Sequence, residues 1–169
     1  MNEFYREIYR EAFKDPDTSF EDLLFKYCDQ NIISETENSK PVSMLFALPC
    51  ILKQGSINRE AIYVYAAATS EEKRGKGYMG KLIEKVKQSK KLIFLRPAED
   101  SLINYYSRFG FKTVESNPLC FDAELIPVKG YKELTEKTCI GKSQKSFTLM
   151  YYSECHEDFN CIKFPFSMN

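Results

Sequence analysis

A short segment rich in glycine and basic residues is the feature of this sequence with the clearest chemical potential. Residues 74–81 read Arg-Gly-Lys-Gly-Tyr-Met-Gly-Lys and lie between a predicted strand and a predicted helix. Glycines let backbone N–H groups approach an anion closely, and the start of a helix adds unpaired donors and the positive end of its dipole. The segment therefore predicts a phosphate-binding loop, to which Arg74, Lys76 and Lys81 add positive charge.

Two nucleotide-binding patterns share letters with this loop. The spacing G-x-G-x-x-G from Gly75 is that of a dinucleotide fingerprint, but that motif needs its first glycine at the end of a strand, and residues 70–74 intervene. The spacing G-x-x-x-x-G-K from the same glycine is that of a nucleotide-triphosphate loop, but Leu82 stands where the magnesium-binding Ser or Thr belongs. We prefer neither interpretation. Magnesium-dependent binding of ATP would identify a nucleotide-triphosphate loop.

A third pattern fits in both letters and context. The stretch from Ala68 to Gly77 resembles motif A of the GNAT acetyltransferases, whose core is (Arg/Gln)-x-x-Gly-x-(Gly/Ala). Arg74 takes the first position and Gly77 the fourth. Met79 stands at the sixth, where Gly or Ala is usual, and Gly80 follows it.

A second motif lies farther along the chain. Residues 105–111 read Tyr-Tyr-Ser-Arg-Phe-Gly-Phe and are similar to the family's Phe-Tyr-x-x-x-Gly-Phe, with Tyr106 at the family's tyrosine. The motif follows the loop in the family's order. By itself Tyr106 would be interpreted as a core aromatic, because Leu102 and Phe109 share its helix face. Together with the loop, a catalytic role is the better interpretation.

The resemblance implies an N-acetyltransferase that takes acetyl-CoA as co-substrate and no metal. It would transfer the acetyl group to an amine of an unidentified acceptor by direct attack, with Tyr106 protonating the CoA thiolate. The residues expected to bind the coenzyme are Ala67, Ala68, Thr69, Arg74, Gly75, Lys76, Gly77, Tyr78, Met79 and Gly80. The alternative is a non-catalytic acyl-CoA-binding sensor or interaction protein.

The general base and the acceptor site are less visible. Glu60, Glu72 and Glu99 are possible bases, but nothing in their spacing distinguishes them from surface acids, and a chain of water molecules is the alternative. Several aromatic residues could line an acceptor cleft, although packing in the sheet is the preferred interpretation. They are Tyr63, Tyr65, Tyr151, Tyr152, Phe164 and Phe166.

Hydrophobic periodicity predicts the elements that position these residues. Two amphipathic helices come first, one ending near Asp15 and the next opening with a capping box at Thr18. Two further helices follow the loop and the strand after it. Pro49 predicts a bulge or a break within the second strand. The strands are predicted at residues 31–35, 42–52, 61–69, 91–96, 111–114, 120–127 and 147–152.

A three-strand meander followed by β-α-β-α-β predicts an α+β (mixed α/β) fold. The resemblance implies the acyl-CoA N-acyltransferase arrangement, a central and mostly antiparallel mixed sheet with helices on both faces. We expect a single GNAT-like domain over residues 1–169, in which residues 1–115 match the family core and residues 116–169 form a variable C-terminal part.

The composition argues against several other classes. Lys plus Arg and Asp plus Glu both number 24, which disfavours a protein that coats nucleic acid or an anionic membrane. No apolar run approaches the ~18–20 residues of a membrane span, and the N-terminus is not a secretory signal. We therefore expect a cytoplasmic monomer or homodimer whose partner is a small-molecule or peptide amine, with no nucleic acid or membrane partner.

The cysteines and the single histidine add no site. With no secretory signal, the six cysteines are expected to be reduced thiols. Cys155, His156 and Cys161 match no zinc pattern. Because His156 is the only histidine, it would have to be the base of any Ser-His or Cys-His hydrolase, which disfavours that class.

Overall fold

The computed structural model describes residues 2–14, 16, 18–116, 122–127, 147–155 and 158–163. The helices are α1 (Asn2–Phe13), α2 (Thr18–Cys28), α3 (Tyr78–Lys87) and α4 (Ser101–Ser107). The strands are β1 (Ile32–Glu37), β2 (Lys40–Gln54), β3 (Ile57–Thr69), β4 (Leu92–Leu95), β5 (Lys112–Ser116), β6 (Ala123–Pro127), β7 (Phe147–Tyr152) and β8 (Cys161–Lys163). Short 3-10 helices span Asp29–Asn31 and Glu71–Lys73.

The chain forms two compact units. The first comprises Met1–Leu48 and Val64–Ser89, and the second comprises Pro49–Tyr63 and Lys90–Asn169. Strands β2 and β3 therefore contribute residues to both units. None of the helices in the described ranges combines the length and the hydropathy needed to cross a bilayer.

Helices α1 and α2 open the first unit, as the periodicity predicted. Their apolar faces bury Ile8 and Tyr9 from α1 and Leu24 and Phe25 from α2. The Tyr9 ring meets the Phe25 ring edge-on at a centroid distance of 6.0 Å, and Phe25 meets Phe46 of β2 at 5.3 Å. This series of aromatic contacts joins both helices to the sheet.

A buried carboxylate also links the two helices. Glu21 of α2 is only 3% exposed. Arg6 donates to its Oε1 at 2.7 Å, and Arg10 donates to its Oε2 at 2.9 Å and to its Oε1 at 2.8 Å. A carboxylate is costly to bury unless it is paired. The two arginines of α1 therefore specify how α1 packs on α2.

The strands of the first unit begin with a tight hairpin. Strands β1 and β2 pair antiparallel, and their last pair is Glu37 opposite Lys40. The two residues between them, Asn38 and Ser39, have φ angles of 50° and 65°. Two consecutive left-handed residues give a turn whose twist matches that of the flanking strands. Glu37 thus lies at the last paired position of a short, well-defined turn.

The end of β3 is fastened to β2 just before the glycine loop. The Ser43 hydroxyl donates to the carbonyl oxygen of Ala68 at 3.1 Å and lies 2.8 Å from the Thr69 hydroxyl. The N–H of Ser70 donates to the carbonyl oxygen of Val42 at 2.9 Å. The chain therefore enters the loop from a fixed position.

The second unit contains a mixed sheet with the strand order β4-β7-β5-β8-β6. Strand β7 is antiparallel to β4 and to β5, and β8 is parallel to β5 and to β6. The stretch Cys50–Lys53 of β2 pairs antiparallel with β6. The fold class expected from the sequence, a mixed α/β fold with a mixed sheet, is confirmed.

The structure differs from the sequence prediction at two places in the sheet. Strand β2 continues through Pro49, so the alternative of a break there is wrong, whereas the alternative of a bulge stays a prediction. The β1 ladder ends at Phe46 and the β6 ladder begins at Cys50, so neither ladder includes the proline. Strand β8 was not predicted, because three residues are too few to show a period.

Candidate coenzyme loop and active-site tyrosine

Two glycines give the loop after β3 its path. Gly75 and Gly77 have φ angles of 76° and 81°, in the left-handed region. A Cβ atom added at either position would meet nothing within 4 Å. The backbone conformation, and not crowding, therefore requires glycine at both positions.

The loop presents a set of backbone donors at the start of α3. Gly77 is the residue before the helix, and the first helical hydrogen bond runs from the N–H of Lys81 to the carbonyl oxygen of Gly77 at 3.2 Å. Within the described part of the chain, the N–H groups of residues 75–80 have no protein acceptor. An anion at this place would receive these hydrogen bonds and lie at the positive end of the helix dipole.

Basic side chains border the same loop. Arg74, Lys76 and Lys81 are all exposed. The Arg74 Nε donates to the carbonyl oxygen of Thr69 at 3.2 Å, which holds the guanidinium against the end of β3. The Lys81 ammonium lies 5.4 Å from the centre of the Tyr78 ring. The sequence therefore identified residues with the charge and exposure that an anion site needs.

Strand β3 is irregular just before Ala67, the first of the residues expected to bind the coenzyme. Ala66 has a φ angle of 48°, a conformation that residues with a Cβ atom rarely adopt. It directly precedes Ala67, which is half-buried, and Ala68, which is buried. Sequence reasoning missed Ala66, because nothing in a run of three alanines indicates which of them is left-handed.

Glu37 contacts both ends of the loop. Lys73 precedes the loop, and its ammonium donates a hydrogen bond to the Glu37 Oε2. Tyr78 follows the loop, and its hydroxyl donates a hydrogen bond of 2.9 Å to the Glu37 Oε1. The hydrogen bonds from Lys73 and then Tyr78 lower the pKa of Glu37, and the same bonds raise the pKa values of Lys73 and of Tyr78. Sequence reasoning also missed Glu37, since it is 36 and 41 residues from its partners.

Tyr106 lies on α4 in the second unit and is 7% exposed. Its ring meets Tyr105 nearly edge-on at 5.3 Å and Phe111 at 6.0 Å. Burial raises the pKa of Tyr106 to about 12. The hydroxyl therefore keeps its proton throughout the neutral range. Among the described residues, none forms a hydrogen bond with this hydroxyl.

The aromatic residues considered for an acceptor cleft make packing contacts. Tyr63 is buried, and burial raises its pKa. The Tyr65 ring lies 6.5 Å from Phe46, and Tyr151 is buried in β7. Two further candidates, Phe164 and Phe166, lie outside the described residues.

The structure distinguishes no general base. Glu60 pairs with Lys91 at 2.9 Å, and Glu99 accepts a hydrogen bond from Ser101 at 3.2 Å. Both glutamates and Glu72 are exposed. Exposed carboxylates with these surface partners are not distinguished from other surface acids.

The cysteines behave as structural thiols. Cys28 and Cys50 are buried, and burial raises the pKa of each to about 12, so both stay protonated near neutral pH. Cys155 and Cys161 are also free thiols. In the ranges that the structure describes, no cluster of His, Cys, Asp and Glu could hold a metal ion. Three residues considered above lie outside those ranges, namely Cys120, Cys139 and His156.

A comparison with protein families decides the assignment. Residues 2–114 match the profile of the Acetyltransferase (GNAT) domain. The chain belongs to the GNAT acetyltransferase family. This match confirms the family expected from the two motifs, which is a family of acetyltransferases. No protein of curated function matches the sequence.

Solved structures agree on the fold. A GCN5-related N-acetyltransferase from Kribbella flavida superposes with a TM-score of 0.56 at 12% identity, over 66% of this chain and 31% of its own. The Bacillus subtilis N-acetyltransferase YlbP, in complex with coenzyme A, superposes with a TM-score of 0.52 at 13% identity. The superposition covers 92% of this chain and 93% of YlbP. Arabidopsis thaliana Naa50, in complex with a bisubstrate analogue, superposes with a TM-score of 0.52 at 15% identity, over 90% of this chain and 92% of Naa50. The GNAT chain thus spans less than a third of the Kribbella protein.

Proposed function

We propose that this GNAT chain is an N-acetyltransferase in which an amine attacks acetyl-CoA directly. The amine nitrogen forms a bond to the thioester carbon, the carbon–sulfur bond breaks, and the CoA thiolate takes the proton of the Tyr106 hydroxyl. The attacking nitrogen loses a proton to water, and solvent returns one to Tyr106. The products are an acetamide and CoA with a neutral thiol, so atoms and charges balance.

The observation that carries the proposal is the loop of residues 75–80. Its amide groups have no protein acceptor within the described residues, and two left-handed glycines shape its path. The diphosphate of the coenzyme is the anion that the family membership implies. The amides of this loop would bind it, with support from the Arg74 guanidinium.

The end of β3 is proposed to hold the pantetheine arm. Backbone groups of Ala67, Ala68 and Thr69 would form hydrogen bonds with it, much as an added strand would. The left-handed conformation at Ala66 supports this assignment, because it interrupts the extended backbone just before these residues. An N–H near Ala67 would then polarise the thioester carbonyl as a single oxyanion donor.

Tyr106 is proposed as the general acid. The thiolate needs a proton when the carbon–sulfur bond breaks, and a hydroxyl whose pKa is about 12 is fully protonated at neutral pH. No described residue forms a hydrogen bond with the Tyr106 hydroxyl, which leaves it available to a bound ligand.

The acceptor is proposed to be an amine on a small molecule or a peptide. Naa50 was captured with a bisubstrate analogue, CoA-Ac-MVNAL, and its fold covers 90% of this chain. We name no general base, and water is proposed to take the proton. A single domain and a cytoplasmic location stay predictions of the sequence.

Two measurements test the proposal. Acetyl-CoA should raise the unfolding temperature, whereas NAD and ATP with magnesium should not, because a ligand stabilises only the state that binds it. Release of CoA should then be followed with a panel of small-molecule and peptide amines. Binding without transfer across the panel would favour the non-catalytic sensor, and stabilisation by ATP would contradict the proposal.

A further inference from the structure

The glycine loop is tied at both ends to one carboxylate. Lys73 and Tyr78 lie directly before and after residues 74–77, and both contact Glu37. Each carboxylate oxygen has its own partner, so the two contacts do not compete. A second carboxylate contacts the segment before the loop, since Glu11 of α1 accepts a hydrogen bond from the N–H of Glu71 at 2.7 Å.

Glu37 is itself held firmly. It occupies the last paired position of β1, next to the two left-handed residues of the hairpin. Its side chain is 35% exposed and that of Lys73 is 28% exposed, so solvent screens this pair only in part. A fixed carboxylate can therefore restrict the chain between its two partners.

We infer that Glu37 is a positioning residue for the coenzyme diphosphate, holding residues 74–77 in their anion-binding conformation through Lys73 and Tyr78. The inference rests on the function proposed above. Gly75 and Gly77 have more accessible backbone conformations than other residues, and ordering them on binding costs conformational entropy. Contacts that restrict the free loop to the bound conformation reduce that cost and so raise affinity.

The direction in which Glu37→Gln changes the affinity for CoA distinguishes a positioning role from a purely electrostatic one. Glu37 is a negative charge close to a loop that binds a polyanion. If its charge were its only influence, Glu37→Gln would tighten coenzyme binding, because it removes a repulsion. If Glu37 positions the loop, the same substitution breaks the ion pair with Lys73 and weakens binding.

The test compares two isosteric substitutions on the same strand. Glu37→Gln is expected to weaken CoA binding about three- to tenfold, measured by calorimetry on the full chain. Its matched control is Glu35→Gln, because Glu35 also pairs with a lysine, Lys85, but that lysine lies in the body of α3. Glu35→Gln should leave the affinity for CoA unchanged. Tighter binding by Glu37→Gln, or an equal loss in both variants, would overturn the inference.

A second variant keeps the test decisive if Glu37→Gln does not fold. Tyr78→Phe removes one hydroxyl and leaves every charge in place, and it is expected to weaken CoA binding about threefold. Pantetheine, the part of the coenzyme that lacks the diphosphate, should bind wild type and both variants equally. Failure of the wild type to bind CoA would contradict the proposed function itself. Wild-type affinity in both variants would contradict only the positioning role.

Discussion

At the scale of single residues, two described residues depart from the ordinary behaviour of their type. Tyr106 is buried on α4, and its pKa is raised to about 12 by that burial. Ala66 adopts a backbone conformation normally left to glycine. Native structures tolerate such local costs mainly where function requires them.

Replacement of Tyr106 by Phe removes only the proton donor. We expect kcat for acetyl transfer to fall about a hundredfold or more, because a positioned general acid contributes at least that much. The dissociation constant for CoA should stay unchanged. Steady-state kinetics and calorimetry on the same preparation would check both, and a variant with unaltered kcat would remove Tyr106 from the mechanism.

The raised pKa of Tyr106 also predicts the pH profile. The group acts as an acid, so its contribution is present below its pKa and is lost as the pH rises through about 12. The kcat/KM for acetyl transfer should therefore rise with pH as the acceptor amine loses its proton, and it should show no decline from Tyr106 below about pH 11. The prediction would be contradicted if kcat/KM of the wild type fell above about pH 9 and this fall were absent in Tyr106→Phe.

The conformation of Ala66 can be tested through stability. Because Gly adopts positive φ angles without strain, Ala66→Gly should leave the free energy of unfolding unchanged or raise it by up to about 1 kcal/mol. Ala68 lies two residues away and does not have a left-handed φ angle. Ala68→Gly should therefore lower the free energy of unfolding by about 1 kcal/mol. Urea unfolding of both variants gives the comparison. Equal losses would show that Ala66 is not left-handed in solution.

At the scale of elements, the sequence predicted what local patterns encode. The capping box at Thr18, the stripe of α3 and the period change at β1 placed most helices and strands within a few residues of their observed bounds. The glycine loop was predicted because glycine at fixed spacing has a backbone meaning. Glu37 could not be predicted, since its role depends on pairing between residues far apart in the chain. Strand β8 was too short to show a period.

The loop glycines give a prediction at this scale. Gly77→Ala should lower the free energy of unfolding by about 1 kcal/mol and weaken CoA binding, because Ala resists the left-handed conformation that begins α3. Gly55 provides a matched control, since it has a φ angle of 58° and also lacks neighbours within 4 Å. Gly55→Ala should cost similar stability and leave the affinity for CoA unchanged. A similar loss of affinity in both variants would indicate a general effect of destabilisation.

At the scale of the whole molecule, a mixed sheet and four helices make up two compact units in the described residues. Two chain segments contribute to each unit, so neither is a continuous stretch of sequence. The single domain over residues 1–169 stays a prediction of the sequence. The match of the GNAT profile to residues 2–114 also includes residues from both units.

Two buried thiols test whether the units unfold together. Cys28 belongs to the first unit and Cys50 to the second, and burial raises the pKa of each to about 12. Both should resist alkylation in the native protein, whereas the exposed Cys155 should react at once. For a single domain, Cys28 and Cys50 should become reactive over the same range of urea, as located by mass spectrometry. Separate ranges would show two independent folding units.

The position of β8 constrains the order in which the second unit can be completed. It lies between β5 and β6, yet its residues come after both along the chain. While the ribosome is still synthesising the residues before Cys161, the edges of β5 and β6 that will receive β8 lack the partner that they have among the described residues. Unpaired strand edges are templates for aggregation. A nascent or truncated chain that stops before Cys161 should therefore aggregate more readily than a chain that includes β8.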